Sequence, residues 1–250
     1  MNEFLSQWYG ILIFVLFDVA AFIAIASITY RWLFKRLFDI LAAAVCILLC
    51  SPILLVVYVR GKRMQGICSQ PEKLLEKSLF IGKNGKKINL TKFATRDKDG
   101  DVIGEYGAWL ERTKLNLLPR LFDVFLGKLS FIGTKAFTIA DAEMLSETDE
   151  EKLLVRPALI HPSIAKGEVE PTYLSLIQTE VEYAKNYSFF GDIKIFFQYL
   201  LRVIRGENNV FFGETAEKTY AKVLLEKGEI TQEDYDGVQE YAREEEQKTA

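Results

Sequence analysis

Hydrophobic residues near the start of the chain form two long uninterrupted runs. The first, Trp8 to Tyr30, has 23 residues and Asp18 as its only charge. About 20 such residues cross the ~30 Å hydrocarbon core of a membrane as a helix, so the run predicts a transmembrane helix. A cleaved signal peptide is the alternative, although the run is long, only Glu3 precedes it as a charge, and no small-residue cleavage site closes it.

The second run, Leu37 to Val59, contains one charge, Asp39, and has basic residues at both ends: Arg31, Lys35 and Arg36 before it, and Arg60, Lys62 and Arg63 after it. Because basic flanks favour the cytoplasm, both ends are expected there. Ser51-Pro52 predicts a break, leaving pieces too short to span. We therefore expect a re-entrant helix-break-helix over residues 35–60. A second span with a proline kink is the alternative.

The rest of the chain alternates short polar and apolar segments. Phe80 to Phe93 predicts a basic β-hairpin turning at Asn84-Gly85. Tyr106 to Leu126 has helical spacing with a bend expected at Pro119. Asp192 to Ile204 has a wide apolar face and a basic end, typical of a helix in the membrane interface; a core-packed helix is the alternative for either. The expected fold is an α-dominated membrane protein of α+β class, with a helical cytoplasmic domain and a small β element.

Charge is distributed unevenly along the 250 residues, whose net charge is −3. Residues 214–250 carry 11 acidic and 5 basic side chains, so the remainder is mildly basic, as suits contact with anionic lipid. Within this acidic tail, helical spacing is interrupted by Gly228 and Thr231, which are stop and N-cap signals. The expected divisions are residues 1–34, 35–60, 61–213 and 214–250. The tail is either a helix-turn-helix for oligomerisation or a solvated helical segment.

The cysteines and the single histidine do not indicate a metal, disulfide or catalytic site. Cys46 and Cys50 lie one helical turn apart in an apolar run and Cys68 is isolated, so neither a zinc site nor a disulfide framework is expected. His161, in a loop with two prolines, is expected to be structural or exposed rather than catalytic. We expect no nucleic-acid partner.

Five segments taken together resemble the bacterial sugar transferase family, the monotopic phosphoglycosyl transferases. In chain order they are KRLFDILAAAVCILLCSPILLVV from Lys35, GKNGKKINLTKF from Gly82, ERTKLNLLPRLFDVFLGKLSFIG from Glu111, VRPALI from Val155 and EYAKNYSFFGDIKIFFQYLLRVI from Glu182. The resemblance covers about residues 35–205. It implies a monotopic enzyme that transfers sugar 1-phosphate from a UDP-sugar to polyprenyl phosphate with Mg²⁺, beginning the assembly of exopolysaccharide, capsule or O-antigen.

The resemblance also implies an Asp-Glu pair, in which the Asp carboxylate attacks phosphorus and the Glu works with the metal. The family stretch resembles R-T-S-L-D-E-L-P-Q-L, and here Arg112 to Leu121 aligns with it without a gap. Asn116 and Leu117 occupy the two carboxylate positions. An amide is a very poor nucleophile and leucine cannot bind magnesium, so no intact catalytic residue and no metal ligand is expected.

Other positions depart from the family as well. A G-P-R-P turn is replaced by Gly133 to Ala136, so that a lysine, Lys135, stands where a bidentate arginine is expected. A stretch resembling V-R-P-G-I-T-G-W reads Val155 to Pro162, without its glycines and tryptophan. The candidate anion-binding residues that persist are Lys92, Arg112, Lys135 and Arg156. Asp123 and Glu111 are the carboxylates nearest in sequence, and a straight helix places Asp123 about 10 Å along the axis and Glu111 on another face.

Three functions follow as hypotheses. The first is a catalytically degenerate member acting as a membrane-bound partner of an active polyprenyl-phosphate sugar transferase, as a hetero-oligomer or a homodimer. The second is an active transferase with a relocated carboxylate, which would need Mg²⁺; the first expects no cofactor. The third is a sensor of nucleotide-sugar or lipid phosphate. All place the protein in the bacterial inner membrane, with the main domain and tail cytoplasmic and the N-terminus periplasmic.

Overall fold

The structure, a computed structural model, describes residues 8–68, 73–97, 100–163, 173–205 and 219–249. Residues 1–7, part of the tail and the side chain of Cys68 lie outside the described part. The helices are α1 (Trp8–Thr29), α2 (Lys35–Cys68), α3 (Gly104–Thr113), α4 (Arg120–Phe125), α5 (Ile139–Glu143), α6 (Tyr173–Asn186), α7 (Phe189–Ile204), α8 (Tyr220–Lys227) and α9 (Gln232–Thr249). The strands are β1 (Leu75–Ile81), β2 (Lys87–Phe93), β3 (Ser130–Ile132) and β4 (Ala158–Ile160).

Helix α2 lies against the body of the protein along its whole length. The contacting positions recur every three or four residues and form one helical stripe. They are Lys35, Asp39, Ala43, Cys46, Cys50, Leu54, Val57, Gly61 and Met64. Lys35 and Arg36 near its start bond to groups of α7 and α4, and the Val57 carbonyl near its end accepts from the Tyr106 hydroxyl. Both ends of α2 therefore contact the same side of one body.

The two pieces expected on either side of Ser51-Pro52 belong to one continuous helix, because α2 is helical through both residues. Proline lacks the N–H that would bond the carbonyl four residues earlier, which is that of Leu48. The Ser51 hydroxyl donates to this carbonyl at 2.8 Å. The hydroxyl thus replaces the missing backbone donor, and the helix continues. By length and composition, residues Lys35–Gln65 form a helix that could cross a membrane.

A β-hairpin and a parallel strand pair form the small β part of the body. Strands β1 and β2 pair antiparallel from Leu75↔Phe93 to Ile81↔Lys87, and the turn between them contains Asn84 with φ 57. The hairpin prediction is thus confirmed, with a first strand that begins earlier than expected. Strands β3 and β4 pair in parallel, and β3 contacts α2. The body is mainly helical, as the sequence predicts.

The expected bent helix over residues 106–126 is instead three separate pieces. Helix α3 ends at Thr113 because Lys114 adopts a left-handed conformation, φ 56. A 3-10 turn, Leu115–Leu117, follows, and α4 begins after Pro119. The interruption of the helix expected at Pro119 is present, since α4 begins directly after it. The turn at Lys114, however, redirects the chain before Pro119 is reached.

The acidic tail packs on the body, so the solvated alternative is wrong for α8. Ala221 is fully buried and Leu224 nearly so. The Tyr220 ring lies 6.1 Å from the ring of Phe137 and 5.4 Å from that of Tyr173. Helix α9 follows a turn at Gly228, φ 72, and the hydroxyl of Thr231 accepts from the Asp234 N–H as predicted for an N-cap.

Candidate functional site

A cleft of about 430 Å³ opens between the β-hairpin and the segment that follows α3. Its lining residues come from β1, β2, the loop after β2, the end of α3 and the following turn. They are Glu76, Lys92, Thr95, Arg96, Asp97, Glu111, Lys114 and Asn116. The cleft therefore contains one of the two positions that the resemblance assigns to the catalytic pair.

Asn116 and Leu117 point to different surroundings. The Asn116 side chain is 5% exposed, lines the cleft, and its Oδ1 atom is buried without a hydrogen-bond partner among the described residues. Leu117 is completely buried and is not among the residues that line the cleft. The 3-10 turn thus places the first position of the pair at the cleft and the second in the core.

Charged side chains in the cleft are paired with one another. The Lys92 ammonium lies 3.7 Å from the Glu76 carboxylate. The Glu111 carboxylate accepts from the Thr95 hydroxyl at 2.9 Å and from Arg96 Nε at 3.0 Å. A second Arg96 nitrogen donates to the Gly100 carbonyl at 3.0 Å. These contacts hold the walls of the cleft and neutralise most of its charge.

The structure corrects the expectation that Glu111 lies on a different face from Asn116. Because α3 ends before Asn116, the face argument for a straight helix fails, and both side chains line the same cleft. Asp123 is 2% exposed, and its carboxylate accepts from the Thr91 N–H at 2.7 Å and from the Lys128 ammonium at 2.9 Å. Asp123 therefore joins α4 to the hairpin and is not available to the cleft.

The residues present do not fit a magnesium ion. Magnesium prefers several oxygen ligands in octahedral geometry, usually with one or two carboxylates. Leucine stands at the position that the resemblance assigns to a ligand, and Glu76 and Glu111 already face cations. No group of three acidic, histidine or cysteine side chains within the described ranges is placed to hold a metal.

Of the four candidate anion-binding residues, only Lys92 lines the cleft. Arg112 is exposed on α3. The Lys135 ammonium lies 5.1 Å from the centre of the Tyr173 ring, and Arg156 is half-buried before β4. Gly133 passes so close to the Arg156 carbonyl that an added Cβ would be 2.4 Å from that oxygen. The segments that bear Lys135 and Arg156 therefore contact each other. Neither of these two residues lines the cleft.

A fully buried ion pair supports the segment that contains Lys135. The Lys152 ammonium lies 2.7 Å from the Glu180 carboxylate, and Glu180 also accepts from the Lys135 N–H at 2.7 Å. Burial lowers the pKa of Lys152 to about 8 and raises the pKa of Glu180. His161 is fully buried nearby and hydrogen-bonded to Ser163 at 2.5 Å, so it is structural rather than exposed.

Sequence reasoning missed most of the cleft. Glu76, Thr95, Arg96, Asp97 and Lys114 were not singled out, because they lie on three segments that only the tertiary structure brings together. No local signal marks the end of α3, since Lys114 is neither glycine nor asparagine and Leu118, the residue before Pro119, itself has a helical conformation.

Comparison with known proteins gives consistent results. The family model for bacterial sugar transferases matches residues 30–206. An uncharacterized sugar transferase of Haemophilus influenzae is 28% identical over 193 residues, covering 66% of this chain and 39% of that protein. The exopolysaccharide production protein ExoY of Rhizobium meliloti is 26% identical, covering 66% of this chain and 82% of ExoY.

A third relative has a named reaction. The UDP-glucose:undecaprenyl-phosphate glucose-1-phosphate transferase of Escherichia coli is 26% identical over 194 residues, covering 70% of this chain and 40% of that protein. The matching part of this chain thus spans about two fifths of the Escherichia coli and Haemophilus influenzae proteins. Helix α1 and the tail helices lie outside the matched family region.

Proposed function

Because the chain belongs to the bacterial sugar transferase family, we propose that it is a member without transfer chemistry, acting as a membrane-bound partner of an active polyprenyl-phosphate sugar transferase. The names of ExoY and of the Escherichia coli relative connect such proteins with exopolysaccharide production and glucose 1-phosphate transfer. The observation that carries the proposal is Asn116, an amide at the cleft where the resemblance requires a nucleophilic carboxylate.

The surroundings of Asn116 support the same conclusion. An Asp at this position would place a carboxylate oxygen where no described group donates a hydrogen bond. Burial without donors raises a carboxyl pKa and disfavours the ionised nucleophile. A Glu at position 117 would bring a charge into the core, since Leu117 is completely buried. The surroundings of both positions therefore suit uncharged side chains.

A second candidate, an active transferase with a relocated carboxylate, is favoured by one observation: Glu111 lines the same cleft as Asn116. Its carboxylate, however, accepts from Thr95 and Arg96. Both bonds end on the Oε1 atom, and such bonds stabilise the carboxylate charge and make that oxygen a weaker nucleophile. We therefore rank this function second.

Release of UMP distinguishes the two candidates. The full chain in lipid nanodiscs is incubated with a UDP-sugar, polyprenyl phosphate and Mg²⁺, with the Escherichia coli relative as positive control. We expect no release above background. Release that requires polyprenyl phosphate and is abolished in Glu111→Gln, but not in the matched exposed variant Glu105→Gln, would establish the second candidate instead.

Genetic complementation tests the partner role. Loss of the gene in its source bacterium is expected to lower surface polysaccharide. The variants Asn116→Ala and Glu111→Gln are then expected to restore it as fully as the unaltered chain, because no cleft chemistry is required. Failure of both variants, at normal protein levels, would contradict a purely supporting role.

The exposed apolar surface supports a membrane location. Large hydrophobic side chains are exposed on α1, on the outer face of α2, at α4 and on α7. At α4 they are Phe122, Phe125 and, directly after the helix, Leu126. On α7 they are Phe190, Phe196, Phe197, Leu200, Leu201 and Ile204. We propose that α1 crosses the inner membrane with the N-terminus periplasmic, and that α2, α4 and α7 contact lipid from the cytoplasmic side. Contact of both α2 ends with one body favours a re-entrant or surface arrangement over a second span.

A further inference from the structure

Each of the two apolar N-terminal helices contains a single carboxylate within its apolar run. The two carboxylates differ in burial and in hydrogen bonding. Asp39 in α2 is 2% exposed and accepts hydrogen bonds from the Ser130 hydroxyl at 2.7 Å and the Phe131 N–H at 2.9 Å. Asp18 in α1 is exposed, and no described residue bonds to it. Within the described part of the chain, the fold satisfies the Asp39 carboxylate and gives the Asp18 carboxylate no partner.

Helix α1 has almost no contact with the rest of the chain. Its described large apolar side chains are exposed on every side of the helix; they include Ile11, Phe14, Phe17, Val19, Phe22 and Ile25. Its 22 residues extend about 33 Å, close to the hydrocarbon thickness of a membrane. Asp18 lies about 15 Å from either end of the helix, which corresponds to the middle of the bilayer.

Among the residues that the structure describes, no cation is placed to neutralise Asp18. The first basic residue after it, Arg31, is 13 positions away, about 20 Å along a helix. Arg31 donates to the carbonyls of Lys185 and Tyr187, and Lys35 forms an ion pair with Asp192. These basic side chains anchor the start of α2 to the body and so are unable to turn back toward the middle of α1.

We propose that α1 packs in the bilayer against a transmembrane helix of a partner protein, and that a Lys or Arg at mid-depth in that helix pairs with Asp18. An unpaired acidic side chain at the bilayer centre opposes insertion, and intramembrane ionisable residues are usually paired. A second copy of this chain would bring another carboxylate rather than a cation. The partner therefore differs from this chain.

This inference names the chemistry of the partner and rests on the proposed partner role and on α1 crossing the membrane. Helix α1 lies outside residues 30–206, which match the family model, so the family scaffold does not account for it. The two proposals fail separately: UMP release would overturn the loss of chemistry without affecting Asp18, and the measurements below do not depend on catalysis.

A designed helix serves as the first probe. The full chain is expressed in bacterial membranes with a polyleucine transmembrane helix that carries one central Lys, and association is measured by energy transfer. We expect a signal several times that obtained with the all-leucine helix, and loss of this difference in Asp18→Leu. Equal signals for the two helices, or a difference that persists in Asp18→Leu, would overturn the proposal.

Site-specific photocrosslinking in the source bacterium then tests the native partner. A photoreactive residue replaces Phe14, on the Asp18 face, or Leu16, on the opposite face as matched control. We expect a hetero-complex from position 14 only, lost in Asp18→Lys and restored when the facing basic residue of the crosslinked protein is changed to Asp. A product that contains only this chain, no product from position 14, or a crosslink unchanged in Asp18→Leu would contradict a charged partner helix.

Discussion

At the scale of single residues, hydroxyl groups and a buried carboxylate supply hydrogen-bond partners to polar groups that would otherwise lack them. Ser51 supplies the donor that Pro52 lacks, so that a 34-residue helix continues through a proline. Asp192, 3% exposed, accepts from Tyr30 at 2.5 Å and from Tyr183 at 2.8 Å and pairs with Lys35. The bonds of Asp192 satisfy polar atoms that would otherwise be buried unpaired, whereas the Ser51 bond satisfies a carbonyl on the exposed face of α2.

The Ser51 bond predicts a proline-dependent loss of stability. Ser51→Ala leaves the Leu48 carbonyl without its donor and is expected to lower the free energy of unfolding by about 1–2 kcal/mol. In the Pro52→Ala background the backbone N–H returns, so Ser51→Ala is expected to have much less effect. Unfolding in detergent, followed by circular dichroism, measures all four proteins; equal losses in both backgrounds would refute the compensation.

The buried pair Lys152 and Glu180 predicts a dependence of stability on pH. Burial lowers the pKa of Lys152 from 10.5 to about 8, so between these values the unfolded chain binds more protons than the folded one. The contribution of Lys152 to the free energy of unfolding is therefore expected to rise as pH increases from about 8 to 10.5. Buried tyrosines such as Tyr173 and Tyr183, whose pKa burial raises, contribute with the opposite sign near the top of this range. Chemical denaturation measures the Lys152 contribution as the difference in slope between the unaltered chain and Lys152→Met.

Replacing Lys152 alone is also expected to lower the free energy of unfolding at neutral pH. Lys152→Met leaves Glu180 buried and uncompensated and should lower stability by about 3–5 kcal/mol. The double variant with Glu180→Gln keeps an acceptor for the Lys135 N–H without the charge, and should recover much of the loss. If the double variant were no more stable than the single one, the carboxylate charge would not be the cause.

At the scale of elements, periodicity identifies helices and strands, and contacts decide where they end. The hairpin turn at Asn84-Gly85 and the tail turn at Gly228 are visible in the sequence because Asn and Gly favour left-handed backbone. Lys114 carries no such signal, since its conformation follows from the packing of Leu110 and Leu117, both completely buried on either side of it. That one residue places Asn116 and Glu111 in one cleft.

The docked tail predicts a loss of stability on truncation. A chain ending at residue 205 exposes Phe137 and Tyr173, which α8 covers through Tyr220, and should unfold with a free energy lower by about 2–4 kcal/mol. A chain ending at Lys227 keeps α8 and is the control, with a smaller loss. Unchanged stability of the shorter chain would show that α8 does not stabilise the body.

At the scale of the whole molecule, apolar surface and charge are separated along the chain. The family-like body lies between an exposed apolar helix and an acidic tail, both outside the matched region. The α9 side chain of Glu245 pairs with Lys87 of the hairpin, so the tail contacts the basic body that precedes it. The net charge of −3 is thus the sum of a mildly basic body and an acidic tail.

This arrangement predicts the topology. In a background where the three cysteines are replaced by serine, Glu240→Cys in the exposed face of α9 should react with an impermeant maleimide only after the cells are lysed. Asn2→Cys, near the N-terminus, should react in spheroplasts without lysis. Labelling of position 240 from outside would place the body on the wrong side of the membrane and exclude the proposed arrangement.

The sequence by itself determined the family, the two long N-terminal helices, the hairpin and the absence of a carboxylate at Asn116 and Leu117, because periodicity, turn residues and side-chain chemistry are local properties. Only the tertiary structure decided that Pro52 is accommodated, that Glu111 reaches the cleft, that Asp39 is satisfied and that Asp18 is not. The Ser51 bond is local, but its formation requires the helix to continue through Pro52. The other outcomes depend on which atoms of distant segments meet, and the linear sequence does not specify those contacts.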